Sequence, residues 1–153
     1  MIHSADEFVR LSTENDPRAT WDSADESVWS EVVASYPDMK EWVVHNKTVP
    51  ISILRDLAAD PDSRIRRWVA MKRKNDRLLF EALASDPDED VRYQVAWNRS
   101  IPRELLARLA GDPSAWVAEA AREVLRKAED GSRPIRAEEP GTPSRAGRSS
   151  HTG

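Results

Sequence analysis

One pattern of residues occurs three times at an interval of 26 residues, and this repetition constrains the fold more than any other feature. Each copy holds a leucine, an aspartate–proline pair and a branched apolar residue: Leu57, Asp60-Pro61 and Ile65; Leu83, Asp86-Pro87 and Val91; Leu109, Asp112-Pro113 and Val117. A unit this short cannot bury its own apolar side chains, so its copies must stack on one another. The repetition therefore predicts an array of similar units around one continuous core.

A fourth, diverged unit precedes these three. The segment Trp42 to Lys47 matches Trp68 to Arg73 at the same interval of 26 residues. Upstream of it, Trp29 and the pair Tyr36-Pro37 match the first half of the next unit at an interval of only 24 residues. We therefore expect four units within residues 27–127, with a shortened turn inside the first.

The spacing of apolar residues within a unit predicts two helices. From Pro50 to Ala59 the apolar residues recur at i, i+3 and i+4, as one face of a helix requires. Asp60-Pro61-Asp62 should end this helix and begin the second, because aspartate caps free N–H groups and proline fits the first helical position. The second helix is expected to reach about Arg73 and to bury Ile65, Trp68 and Val69.

Several short signals predict where helices begin and end. Ser4 to Glu7 and Ser23 to Glu26 both have the form of a capping box, in which serine and glutamate satisfy each other's free N–H groups. Asn46 and Asn98 are expected to end second helices in the left-handed conformation. These signals divide the chain into an N-terminal cap (1–26), the array (27–127) and a tail (128–153), which is rich in Gly, Ser, Pro and Arg and is expected to be disordered.

The run Leu83-Ala84-Ser85-Asp86-Pro87-Asp88, followed by Val91-Arg92, Val95-Ala96, Asn98, Pro102 and Leu105-Leu106, resembles the bacterial leucine-rich repeat variant, a short relative of HEAT repeats. The resemblance covers about Trp29 to Leu125. It implies an all-α fold, a short right-handed α-solenoid of the armadillo type with about four two-helix units and an N-terminal helical cap. It also implies a binding scaffold, and such arrays bind unrelated partners.

Composition narrows the possible functions. The chain has no cysteine and three widely spaced histidines, which excludes cysteine-ligated clusters and makes a metal site improbable, so we expect no cofactor and no metal. No run of apolar residues is long enough to span a membrane. The start of the chain has no secretory signal, so we expect the protein to be cytoplasmic. We also expect it to be a monomer. The net charge is −4, but residues 41–80 carry nine bases against five acids, which predicts a localised basic surface.

A helical projection of the second helices places this basic charge in a repeated stripe. Each stripe has a cation, a small residue and a cation at i, i+4 and i+7: Lys40, Val44 and Lys47; Arg66, Ala70 and Arg73; Arg92, Ala96 and Arg99. The resemblance places second helices on the concave face, where these stripes would form a cationic groove with Trp97 at its edge. The candidate partner-binding residues are Lys40, Lys47, Arg66, Arg73, Arg92, Trp97 and Arg99.

Each part of this groove also has a structural interpretation. The pairs Asp60 with Arg66 and Asp86 with Arg92 resemble the Asp/Arg ladder that ties adjacent HEAT units together. Lys47, Arg73 and Arg99 would sit at helix C-termini, where the helix dipole favours cations. Trp29, Trp42 and Trp68 are expected to pack in the core, whereas Trp97 and Trp116 are candidates for partial exposure at an interface.

These features favour a binding protein over an enzyme, since no phosphate loop, nucleophile elbow or metal-binding helix is present. The expected partner is a protein with an acidic surface. The chain itself would then be an interaction scaffold, with an immunity-like or a regulatory role also fitting the pattern. The alternative is a nucleic-acid-binding HEAT-like repeat protein related to alkylpurine DNA glycosylases. The net acidic charge disfavours this alternative, because binding to phosphate backbones usually needs a strongly basic domain.

Overall fold

The computed structural model describes residues 1–131, which form ten α-helices and no strand. The prediction of an all-α fold is confirmed. The helices are α1 (Ala5–Thr13), α2 (Arg18–Trp21), α3 (Glu26–Ser35), α4 (Lys40–His45), α5 (Ile51–Ala58), α6 (Ser63–Ala70), α7 (Arg77–Ala84), α8 (Glu89–Trp97), α9 (Arg103–Leu109) and α10 (Ala115–Glu129), with a 3-10 turn at Pro37–Met39 before α4. Of the predicted tail, residues 128 and 129 belong to α10, and residues 132–153 lie outside the described residues.

The helices pack in two series, in each of which every helix contacts the next. The first series is α1, α3, α5, α7 and α9, and the second is α2, α4, α6, α8 and α10. Members of the two series alternate along the chain, so each helix of the first series is followed by one of the second. The apolar face between the series forms one core that includes Trp29, Leu54, Phe80 and Val95.

The N-terminal segment is a helical pair rather than the single capping helix that was expected. Its helix α1 buries Phe8 and Leu11 against the core, and the predicted cap at Ser4 is confirmed, because the Ser4 hydroxyl accepts a 3.1 Å hydrogen bond from the Glu7 N–H. The capping box predicted at Ser23 is wrong, since Asp25 is the N-cap of α3 and its side chain makes no capping bond. The Ser23 carbonyl instead accepts a 2.7 Å bond from the Ile2 N–H, which anchors the start of the chain.

Each aspartate–proline turn is held by its aspartate. Asp60 accepts a hydrogen bond from the Asp62 N–H at 2.9 Å, and Asp86 and Asp112 accept the same bond from the residue two positions ahead at 2.9 Å. This side-chain turn is a standard use of aspartate. Pro61 precedes the N-cap Asp62, so the prediction that it occupies the first helical position is wrong.

The asparagines that follow α4 and α8 link neighbouring helices. Asn46 and Asn98 have φ of −57° and −69°, so the predicted left-handed conformation is wrong. Both side chains are buried, and their amides donate to carbonyls of the preceding helix of the series: Asn46 to Ala19 and Asp22, Asn98 to Ala70 and Lys72. An amide that donates to two carbonyls left free at a helix end explains why Asn is needed there.

Among the described residues, no helix is both long enough and apolar enough to cross a lipid bilayer.

Candidate functional site

The inner column of the predicted basic stripe is a set of ion pairs between consecutive helices of the second series. Arg66 binds Asp86 through two bonds of 2.7 and 3.0 Å, and Arg92 binds Asp112 at 2.8 and 3.0 Å. Lys40 binds Asp60 at 2.6 Å. The predicted Asp/Arg ladder therefore exists, but each cation pairs with the aspartate 20 residues ahead rather than the one six residues behind. Arg66 and Arg92 also donate to the backbone carbonyl of the aspartate six residues behind, Asp60 and Asp86 respectively.

The middle column of the stripe lies in the core. Val44, Ala70 and Ala96 are fully buried, so they cannot form the floor of an exposed groove. They belong to α4, α6 and α8, each of which packs against the next helix of its series. The equivalent residue in α10 is Arg122, which is exposed, and within residues 1–131 no helix follows α10.

The outer column does not lie on the helices at all. α4, α6 and α8 end at His45, Ala70 and Trp97, so Lys47, Arg73 and Arg99 lie in the connections that follow. Arg73 and Arg99 are exposed and Lys47 is half-buried. The predicted continuous groove of basic, small and basic residues is therefore wrong: Lys40, Arg66 and Arg92 are used in pairs, the small residues are buried, and the outer cations occupy a separate edge.

The structure places an aromatic pocket between α8 and α10, and one residue of the predicted groove, Trp97, lines it. Its aromatic residues are Tyr93 and Trp97 from α8 and Trp116 from the first turn of α10. Trp116 stacks on Tyr93 with ring centroids 3.8 Å apart and an interplanar angle of 12°, while Trp97 meets Tyr93 edge to face at 6.2 Å. The pocket has a volume of about 460 Å³ and is completed by Glu119, Ala120, Arg122, Glu123 and Arg126.

Two of the charged side chains that line this pocket, Glu123 and Arg126, are paired with each other on α10. Glu123 accepts bonds from Arg126 at 3.0 Å and from Lys127 at 3.0 Å, and these two cations lower the pKa of its carboxyl to about 2. The Lys127 ammonium also lies 5.8 Å from the centre of the Trp97 ring, within the range of a cation–π contact. Arg126 binds Asp130 as well, at 2.9 Å. Glu123 is therefore an ionised group whose charge is already balanced.

Two charged groups at the pocket keep unused binding capacity. Within residues 1–131, Arg122 and Glu119 form no ion pair, although both line the pocket. The indole N–H of Trp97 is buried and has no acceptor among the described residues. The indole N–H of Trp29, a fully buried core residue, also lacks an acceptor among the described residues, so this feature alone does not mark Trp97 as a binding residue.

The five tryptophans for which the sequence made a prediction divide differently in the structure. Trp29 is fully buried as expected, while Trp42 and Trp68 are only half-buried, and the Trp68 ring lies 5.1 Å from that of His45. The partial exposure predicted for Trp97 and Trp116 is confirmed, and Trp116 is 47% exposed. Tyr93 was missed. Tyr93 belongs to one unit and Trp116 to the next. The signal in the sequence that could have placed Tyr93 on the pocket face is its alignment with Glu119, which lies 26 residues later and also lines the pocket.

A second, more polar pocket lies between α4 and α6. It has a volume of about 590 Å³ and is lined by Trp68, Arg64 and Arg67 together with the Asp60-Pro61-Asp62 turn. Arg64 binds Asp62 of its own turn at 2.9 Å and Asp60 binds Lys40, so most of its charged groups already have partners. The aromatic pocket between α8 and α10 is therefore the stronger candidate for a site.

The chemistry of the aromatic pocket suits recognition. It combines flat apolar surface with charged groups at the edge, which is the composition of a typical binding hot spot. Within the described part of the chain, no group of three His, Cys, Asp or Glu side chains is arranged to hold a metal ion. The chain matches no protein-family model, no curated protein and no solved structure. The geometry of this pocket is therefore the basis for inferring a function.

Proposed function

We propose that this protein is a non-enzymatic binding module, a short α-solenoid of four HEAT-like two-helix units behind a helical cap, that binds a partner protein as a monomer. The partner would dock on the face of the second series of helices, with the aromatic pocket of Tyr93, Trp97 and Trp116 as its centre.

The observation that carries this proposal is the exposure of Trp116. An indole ring that is 47% exposed, and is held flat on a second aromatic ring, presents a large apolar surface to solvent. Trp21 is more exposed, at 65%, but Trp116 forms a contiguous aromatic cluster with Tyr93 and Trp97 at a pocket, and contiguous apolar surface marks interaction sites where a single exposed residue does not. Its neighbours Arg122 and Glu119 supply polar groups at the edge, as the rim of an interface does.

The ladder supports the array that this proposal requires. Each of its three pairs joins one helix of the second series to the turn before the next. The position equivalent to Arg92 is Ala118 in α10, and the position equivalent to Asp60 is Tyr36 in the first unit. Both ends of the ladder thus lack a charge that would need a further unit, which fits an array of four.

The same pairs weaken the nucleic-acid alternative. A phosphate-binding surface needs cations that are available to solvent, and Lys40, Arg66 and Arg92 are half-buried and bound to aspartates. A protein partner remains the better proposal.

A site-specific crosslink tests this function. We would replace Glu119 with the photoreactive residue p-benzoylphenylalanine, irradiate the full chain in lysate of its native host, and identify the adduct. The matched control carries the same residue in place of Leu78, which is 66% exposed on α7 and away from the pocket. We expect a nuclease-resistant protein adduct from position 119 only.

Equal adducts from both positions would show that the face is not selective and would contradict the proposal. An adduct from position 119 that disappears after nuclease treatment would favour the nucleic-acid alternative instead.

A further inference from the structure

We propose that this protein has a second binding surface, which takes single-stranded nucleic acid. The surface, which we call the basic edge, consists of residues 46–49, 71–75 and 98–101, in the connections that follow α4, α6 and α8. It contains no residue of the aromatic pocket and no cation of the ladder. The proposal therefore goes beyond the binding of a partner protein at the pocket.

Hydrogen bonds join the connections of the basic edge into one surface. The Asn98 side-chain amide donates to the Lys72 carbonyl at 2.9 Å, and the Lys72 ammonium donates to the Asn46 carbonyl at 3.1 Å. The row continues to the end of α2, because the Lys47 N–H donates to the Thr20 carbonyl at 2.8 Å. Side chains of consecutive connections therefore lie side by side, and a long ligand can contact several of them at once.

The basic edge has five cations and no acid, although the net charge of the chain is −4. The five cations are Lys47, Lys72, Arg73, Lys74 and Arg99. Each cation of the ladder binds a carboxylate, which cancels its charge. The Lys74 ammonium instead donates to the backbone carbonyls of Lys47 and Val49, and a carbonyl has no net charge. The basic edge therefore differs from the ladder in the groups that its lysine contacts.

The acids that adjoin the basic edge in the chain are themselves paired. The Asp22 carboxylate binds Arg18 at 3.0 Å, and that of Asp76 binds Arg55. Three of the five cations are exposed to solvent, namely Arg73, Lys74 and Arg99. A row of solvent-exposed cations attracts a polyanion, and a nucleic-acid backbone carries its phosphates in such a row.

Trp21, at the end of α2, favours a single strand over other polyanions. A single exposed ring does not mark a site by itself, but Trp21 is 65% exposed and the Lys47 ammonium lies 6.0 Å from the centre of its ring. Proteins that bind single strands combine such rings, on which bases stack, with cations that hold the phosphates. The bases of a duplex already stack on one another, and an acidic peptide has carboxylates without bases.

Fluorescence polarisation with a labelled oligothymidylate of about twelve nucleotides tests the proposal on the full chain at about 50 mM salt. The double variant Arg73→Glu, Arg99→Glu should weaken binding at least about tenfold. Its slope of log K against log salt concentration should be shallower by about 1.4, since two phosphate contacts are lost. Trp21→Ala should weaken binding at least about fivefold, the lower end of the range for stacking of one base.

The matched control is the double variant Arg64→Glu, Arg108→Glu, which has the same change in net charge. Both residues are exposed and lie near aspartate–proline turns, at the start of α6 and the end of α9, whereas the basic edge follows the ends of α4, α6 and α8. This control should weaken binding less than about threefold, because only the general attraction between the charges changes. Circular dichroism of each variant checks that the fold is intact.

Equal weakening by the two double variants would overturn the proposal, because binding would then depend on net charge alone. No effect of Trp21→Ala, equal affinity for the duplex, or equal affinity for a polyglutamate peptide of the same charge would also overturn it, as would the absence of binding. The crosslink from position 119 reports on the aromatic pocket alone, so the function proposed for the pocket and this one can fail independently.

Discussion

Replacement of Arg66 by alanine should destabilise the protein by about 3 kcal/mol. The Arg66 side chain is 13% exposed and that of its partner Asp86 is 5% exposed, so the substitution leaves a carboxylate with little access to water. It removes two bonds to Asp86, at 2.7 and 3.0 Å, and a third of 2.8 Å to the Asp60 carbonyl. Breaking a fully buried pair costs about 3–5 kcal/mol, and the remaining exposure of Arg66 places this pair near the lower limit.

The assay is urea unfolding followed by circular dichroism. Arg64→Ala is the matched control, because Arg64 lies on the same helix with a 78% exposed side chain and binds only Asp62 of its own turn. An exposed pair of this kind is worth less than about 1 kcal/mol. Asp86→Asn in the Arg66→Ala background should recover part of the loss, since the amide keeps the turn acceptor but carries no charge. Equal effects of Arg66→Ala and Arg64→Ala would refute a structural role for the ladder.

Ala96→Arg should lower the free energy of unfolding by about 3 kcal/mol or more, because position 96 is fully buried. Arg122→Ala, at the equivalent but exposed position of α10, should change it by less than about 0.5 kcal/mol. Urea unfolding of both variants measures this difference. Leu83→Ala, in the core, should cost about 2–5 kcal/mol in the same assay. Arg92 lowers the pKa of Asp112 below its ordinary value, so the stability from this pair is present above about pH 4 and is lost as the pH falls through the folded-state pKa. Urea unfolding should therefore show that the free energy of unfolding falls less between pH 7 and pH 3 in Asp112→Asn than in wild type. An equal fall in both proteins would contradict a contribution of this pair to the pH dependence.

The helical content and the unit boundaries could be predicted because both depend on local sequence. Leu57, Leu83 and Leu109 are buried as their shared position in the repeat requires, and each aspartate–proline pair lies between two helices. A repeated pattern averages out the exceptions that make a single helix hard to identify. The prediction that the first unit has a shortened turn is wrong, because the connections 36–39 and 59–62 have the same length; the difference lies in the second helix, which has six residues in α4 and eight in α6.

The positions of the basic residues could not be predicted correctly. They depend on where the second helices end and on which side of each helix the next helix covers. The projection continued α6 to Arg73, whereas α6 ends at Ala70, so the outer cation was assigned to a helical face that does not exist. The projection also treated Ala70 and Ala96 as small exposed residues. Their burial follows only from the packing of the next unit, which a single helical wheel does not contain.

The aromatic pocket was partly predictable. Trp97 and Trp116 stand out in the sequence because they replace Met71 and Arg64 at repeated positions, and a change of residue type at one unit of an array can mark a binding surface. The stacking of Trp116 on Tyr93 could not be read from either unit alone, since it depends on the rotation between α8 and α10. The ion pairs of Glu123 differ in this respect, because Arg126 and Lys127 lie three and four residues ahead on the same helix and this spacing predicts such pairs.

Affinity capture from native lysate with two variants tests most directly where this protein binds. Trp116→Ala removes the exposed wall of the aromatic pocket, and Arg99→Glu reverses a cation of the outer edge that follows α8. If the pocket is the binding site, the partner retained by the wild-type chain is lost in Trp116→Ala and retained by Arg99→Glu. Loss of the partner in Arg99→Glu together with its retention by Trp116→Ala would contradict the pocket and place binding on the basic edge.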